Sequence, residues 1–258
     1  MTTSPPQLTM LHRDIMAAVM ILTRIPVDWP DQADAPDTAR SYWAFPLVGV
    51  GVAAIPALAG AGLVELGVPP LAAAALALFG VMLMTGGLHH DGLADVTDSL
   101  GGRDRERRLA IMHDSAIGSF GTLGLITILI ICTSCLAHLA RIDPLLMAAG
   151  LIATSAMSRA MMALQRWHRP TPTDSGLASA TGRPSTPVMV MAMMLGLLAG
   201  LVFLSTSGAF VAMALGVITT ILFGMFMMRW VGGVNGDGLG ASQQLSEAIM
   251  LMALTLMV

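Results

Sequence analysis

The sequence predicts an all-α polytopic membrane protein of about 7 transmembrane helices plus an N-terminal interfacial or re-entrant helix. Three observations carry this expectation. Hydrophobic residues make up 55% of the 258 positions and charged residues only 11%, where a soluble domain carries roughly 25% charge. Mean hydropathy is +0.75. The apolar residues also fall in blocks of membrane-spanning length rather than in the short runs of buried strands. No repeat and no long polar linker divides the chain, so residues 1–258 are read as a single integral-membrane domain.

Taken in order, residues 15–23 (IMAAVMILT) are apolar but bounded by Arg13-Asp14 and Arg24. They are too few to cross a bilayer and predict a helix lying at its surface. The N-terminus has no basic segment followed by an apolar run and a small-residue cleavage site, so no cleaved signal is expected. Spans are expected at 47–66, 70–87, 118–140, 144–164, 187–206, 208–228 and 244–258, separated by turn signals such as Pro69-Pro70, Asp143-Pro144 and Ser207-Gly208. Cys132 and Cys135 form a CxxC inside one apolar block. There they read as small helix residues, since redox or metal chemistry needs accessible thiolates.

The charges test this map. All 13 basic residues are arginine. With seven spans, eleven of them fall on one side, and Arg141 alone lies in the opposite loops. That asymmetry places the charged side in the cytoplasm. A net charge of −3 and a pI near 6.0 predict neither a nucleic-acid partner nor a polybasic lipid tether.

The loop at 88–117 concentrates the chemistry. Asp91, Asp95 and Asp98 stand at i, i+4 and i+7, which puts three carboxylates on one helical face. Like charges so placed repel, and a divalent cation relieves that repulsion. Hard oxygen ligands suit Mg²⁺ or Mn²⁺, with substrate phosphates completing the shell. A solvated acidic face balanced by Arg103, Arg105, Arg107 and Arg108 is the alternative. His89 and His90 add candidate proton carriers. The Arg-rich segment after Gly101-Gly102 suits either a phosphate or lipid headgroups. Asp114-Ser115, followed by Gly118 and Gly121, resembles an anion-binding nest at a helix start.

A second polar cluster, NGDGLGASQQLSE (235–247), falls on the same side and contains the only asparagine, Asn235, beside Asp237. Arg159 and Glu247 lie inside apolar blocks, where each needs a partner. Arg159 reads either as snorkelling or as a phosphate clamp. The polar, Gly/Pro-rich segment 166–184 reads as a lid over the site.

These residues together resemble the cobalamin synthase family, also called adenosylcobinamide-GDP ribazoletransferase. The resemblance rests on TRIPV (23–27), YWAFPLVGVGV (42–52), GGLHHDGLADVTDSLGG (86–102), MHDSAIGSFG (112–121), SR (158–159) and the 235–247 cluster. It implies transfer of the corrin phosphoryl group of adenosylcobinamide-GDP to α-ribazole or its 5′-phosphate, with release of GMP. It further implies dependence on Mg²⁺, with one or two ions, and residence in the inner membrane of a prokaryote in contact with membrane lipid. Association with other cobalamin-assembly enzymes or with further copies of the chain fits that setting.

Carried onto this sequence, the resemblance assigns catalysis to Asp91, Asp95 and His89, and metal binding to Asp91, Asp95, Asp98 and Asp237. It assigns substrate contacts to Asp114, Ser115 and Asn235, while Arg159 and the loop arginines Arg103 and Arg107 are read from the residues as further phosphate contacts. His113 and Ala116 stand where the family's MKDSRIG pattern has basic residues, and Gly238 stands where threonine is common. Two other readings remain open from the residues alone. A lipid phosphoalcohol transferase also uses Asp-rich helices at the cytoplasmic face, and a transporter would use intramembrane Arg159 and Glu247. The concentration of ionisable groups at one face favours an enzyme.

Overall fold

The computed structural model describes residues 7–29, 36–173 and 181–258. The middle of the expected lid falls outside them. Every described element is helical. Helix α1 (Gln7–Leu22) is followed by the short α2 (Thr38–Ser41) and then by α3 (Phe45–Glu65) and α4 (Pro70–Thr85). Next come α5 (Leu88–Asp98), α6 (Arg105–Met112), α7 (Ser119–Ile142) and α8 (Pro144–His168). The chain finishes with α9 (Thr186–Phe203), α10 (Thr206–Trp230) and α11 (Gly236–Thr255).

Five segments are long and apolar enough to cross a membrane: α2–α3, α7, α8, α9 and α10. Helix α4 meets the criterion only together with α5, and their axes diverge by 94°, giving six candidates if the bent pair counts as one. The seventh expected span is α11, which starts at Gly236 instead of residue 244. Over its full length it does not meet the spanning criterion, and its Leu254 lies with Leu139, Leu146 and Leu204 at the end of the bundle opposite Asp237.

Burial explains how α11 tolerates its polar residues. Fourteen of its 20 residues are buried, Gln243, Gln244 and Glu247 among them. Helix α8 is similarly enclosed, with 83% of its most apolar window buried. These two form the centre. The surrounding helices turn side chains such as Ile55, Phe79, Leu83, Ile130 and Leu222 outward, as a lipid-facing surface requires.

Helix ends are set by local chemistry. Pro70 and Pro144 occupy first-turn positions of α4 and α8, where a missing N–H costs nothing. Asp143, Ser205 and Asn235 cap α8, α10 and α11 by accepting N–H groups of the first turn. Helix α1 extends further toward the N-terminus than the apolar run predicts and is not among the spanning candidates. It is tied down by buried Asp14, which accepts from Arg40 Nε at 2.8 Å and Trp43 Nε1 at 3.0 Å.

The bend between α4 and α5 positions the site. Gly86 and Gly87 both adopt left-handed backbone, with φ of 66° and 74°. Two such residues in a row are accessible chiefly to glycine. The turn directs polar α5 away from the α4 axis and toward α11 and α7.

Candidate active site

Helix α5 carries its aspartates at the polar end of the bundle. Asp91 is exposed, and Asp95 is half-buried. Asp237 is brought beside them by a close helix crossing: a Cβ on Gly92 would lie 2.7 Å from the Asp237 carbonyl oxygen, so only glycine permits the approach. Asn235 fixes the new neighbour. Its Oδ1 accepts the Gly238 N–H at 3.0 Å, and its Nδ2 donates to Asp237 Oδ2 at 2.7 Å.

Electrostatics records the crowding. Burial, then Asp237, Asp91 and Asp98, push the Asp95 carboxyl up to about 7. Burial likewise raises Asp237, against the Asn235 hydrogen bond and the neighbouring His113. No arginine forms an ion pair with Asp91, Asp95 or Asp237 among the described residues, where Arg40–Asp14 is the one such pair.

Two cavities meet at this cluster. The larger, about 730 Å³, is a polar cleft bordered by Arg24, Asp91, Asp95, His113, Asp114 and Ser115. The smaller, about 190 Å³, is mostly apolar, with His89, Asp91, His113, Asn235 and Asp237 among its lining residues. Asp91 and His113 border both.

The structure therefore brings together Asp91, Asp95, His89, Asp114, Ser115, Asn235 and Asp237. It separates the others. Both oxygens of Asp98 are taken by α7, accepting the N–H of Gly118 at 2.7 Å and of Gly121 at 2.8 Å. The glycine-rich start of α7, expected as an anion nest, is thus filled by the protein's own carboxylate. Arg103 and Arg107 are exposed and border neither cavity. Their neighbours are structural: Arg105 donates to Val231 O at 2.8 Å and Pro172 O at 2.7 Å, while the Arg108 guanidinium stacks 3.5 Å from the Trp230 ring centroid.

Arg159 also borders neither cavity. It is 1% exposed, donates to Ser155 O at 2.9 Å, and faces a closed void of about 10 Å³ with His89, His90 and Glu247. The clamp expected of it would have to act through the residues that seal it off.

Sequence reading did not single out Arg24 as a site residue. Its backbone N–H donates to Met84 O at 2.9 Å, and its side chain lies against Gly86, so the guanidinium stands over the bend at the cleft wall. The available signal was the TRIPV segment, whose distance from residue 86 in sequence conceals the contact.

Among the described residues, no three His, Cys, Asp or Glu side chains converge as a complete metal-binding group. Mg²⁺ does not require one, because it usually takes one or two carboxylates and completes its octahedron with waters and substrate phosphates. Crowded, unpaired Asp91, Asp95 and Asp237 beside an open polar cleft fit that donor set.

The chain matches the family described as cobalamin-5-phosphate synthase over residues 14–255. It belongs to that family. Similar curated proteins carry the name adenosylcobinamide-GDP ribazoletransferase. The one from Azorhizobium caulinodans is 39% identical over 249 residues, covering 93% of this chain and 94% of its own. Those from Rhizobium johnstonii and Brucella ovis are each 39% identical, covering 95% and 96% of their own lengths and 93% and 94% of this chain. No solved structure matches. Within the family's Asp-rich segment, the geometry divides the labour between cleft-facing Asp91 and Asp95 and helix-capping Asp98.

Proposed function

We propose that the protein transfers the corrin-bearing phosphoryl group of adenosylcobinamide-GDP to a hydroxyl of α-ribazole or its 5′-phosphate, with Mg²⁺, at the cytoplasmic face. The observation that carries this reading is the junction of the two cavities at Asp91, where an acidic cluster meets a cleft that also presents Arg24. In the reaction, the ribazole hydroxyl forms a new P–O bond and the P–O bond to GMP breaks. GMP leaves as an anion, and the hydroxyl proton passes to water in the cleft beside the exposed carboxylate Asp91, because the Nε2 of His89 is sealed from the cavity. Bound Mg²⁺ supplies neutralisation of the pyrophosphate charge. Two of the three carboxylates Asp91, Asp95 and Asp237 would hold it, Arg24 would fix a phosphate oxygen by charge-assisted hydrogen bonds, and Asn235 keeps Asp237 in place. Asp114 and Ser115 border the same cleft and position the nucleotide.

The test is direct. Purified full-length protein with adenosylcobinamide-GDP and α-ribazole is expected to release GMP with Mg²⁺ and to stop on chelation. Activity confined to lipid alcohols would reject the reading.

The charge state of Asp95 adds a pH dependence. A carboxyl raised to about 7 holds a proton below that pH, which a cation must displace. The Mg²⁺ concentration for half-maximal activity is expected to rise about fivefold from pH 7 to pH 6 and to level off above pH 8. A flat response across that range would remove Asp95 from the ligand set.

The face is tested by labelling. Leu100 and Arg229 are exposed at the polar end, whereas Leu66 is exposed at the other end, between α3 and α4. Leu100→Cys and Arg229→Cys are expected to react only from the cytoplasmic side, and Leu66→Cys only from outside. Opposite sides for the first two would break the joint site.

A further inference from the structure

We propose that the 190 Å³ cavity seats the benzimidazole ring of the ribazole substrate, leaving the larger cleft to the pyrophosphate and its corrin-bearing arm. The assignment rests on the ribazoletransferase reading and adds where each substrate sits.

The substrates of that reaction offer three large moieties: a corrin, a guanine and a benzimidazole. Size removes the first. Apolar cavities of about 150 Å³ take up benzene, so one of 190 Å³ with an open mouth admits a two-ring base but not a macrocycle. Polarity removes the second. Guanine carries donors and acceptors around most of its edge. The lining includes polar side chains such as Thr171, Asn235 and Asp237, but Leu22, Phe45, Leu109, Met162 and Leu239 make most of its surface apolar and would leave many of guanine's groups unsatisfied. The benzimidazole ring is flat and almost wholly apolar. It also finds an aromatic wall, since Tyr42 and Phe45 stack with ring centroids 4.4 Å apart and both line the cavity.

Orientation follows from the mouth. The polar lining residues of the small cavity include Asn235, Asp237, Asp91 and His113, and the last two also border the large cleft. A base seated among the apolar walls directs its ribose toward that rim. The reacting hydroxyl then stands at the junction where the acidic cluster begins.

Cavity volume consequently sets base selectivity. Leu109, on α6, lines the cavity and is 9% exposed, at the margin of the buried core. Leu109→Trp, filling the space, is expected to raise KM for α-ribazole at least tenfold while KM for adenosylcobinamide-GDP stays within twofold. Leu109→Ala is expected to shift kcat/KM at least tenfold toward a riboside whose base carries a third fused ring. Met162→Ala, from α8, provides the same enlargement should the first variant fold poorly. Unchanged selectivity in these enlarged variants, or both KM values moving together in Leu109→Trp, overturns the assignment. Wild-type protein that releases no GMP overturns the underlying functional reading instead, and the base site falls with it.

Discussion

Asp91→Asn in the full-length protein in lipid is expected to lower kcat by about 10²–10³-fold, the scale seen when a fixed electrostatic contact to a developing charge is lost. Asp91 borders both cavities and is the carboxylate common to them. Replacing it keeps the side-chain volume but removes the charge that, on the proposed reading, would balance Mg²⁺ and the polarised phosphate. Asp95→Asn is expected to behave alike. Asp98→Asn provides the contrast. That residue anchors the first turn of α7, so its loss is expected to lower thermal stability by about 1 kcal/mol, as for other helix caps, with kcat reduced less than tenfold. Near-normal turnover in Asp91→Asn at saturating Mg²⁺ would reject the division. Equal losses of kcat in Asp91→Asn and Asp98→Asn would reject it too.

The division also shows what helical phase conveys. Asp91, Asp95 and Asp98 do share a face of α5, as their spacing predicts. Phase reports angle and not height. Seven residues at 1.5 Å place Asp98 about 10.5 Å along the axis from Asp91, beyond the reach of a common cation. Height is what delivers Asp98 to α7 instead. Hydropathy similarly located the outer helices, whose lipid-facing surfaces must be apolar. It misplaced the start of α11 because a helix surrounded by other helices is free of that requirement.

Contacts between distant segments were the least legible part of the site. Asn235 and Asp237 were assigned to it from the motif, but the crossing that puts Asp237 over Gly92 depends on packing. Arg24 on Gly86 is a contact of the same kind. The arginines of α6 make contacts of this kind as well. Their number suits either a phosphate or lipid headgroups, and packing adds a third use: Arg105 and Arg108 satisfy backbone carbonyls of neighbouring segments and the ring of Trp230.

The buried arginine supports the second large expected effect. Arg159→Met alone is expected to destabilise the folded protein by about 3–5 kcal/mol, the usual consequence of stranding a buried charge. Arg159 and Glu247 are 1% and 6% exposed, on the two central helices, and both line the 10 Å³ void with His89, His90 and Gln244. Arg159 Nε and Glu247 Oε1 are buried without a direct hydrogen-bond partner, and a space of this size holds about one water between them. Glu247 is further held by Gln243, which donates to it at 2.6 Å and to Ser158 Oγ at 2.8 Å, joining α11 to α8. Removing the cation leaves that carboxylate uncompensated in an apolar bundle. The double variant Arg159→Met/Glu247→Met is expected to recover most of the loss, because neither charge then remains buried. Unfolding midpoints of the wild type, both single variants and the double variant close a thermodynamic cycle. A coupling of 2 kcal/mol or more, taken as about the upper half of the range for directly interacting residues, marks an electrostatic clamp between the central helices. Strictly additive losses would mean that the two residues act independently, and that the polar centre of the bundle is held by hydrogen bonds alone.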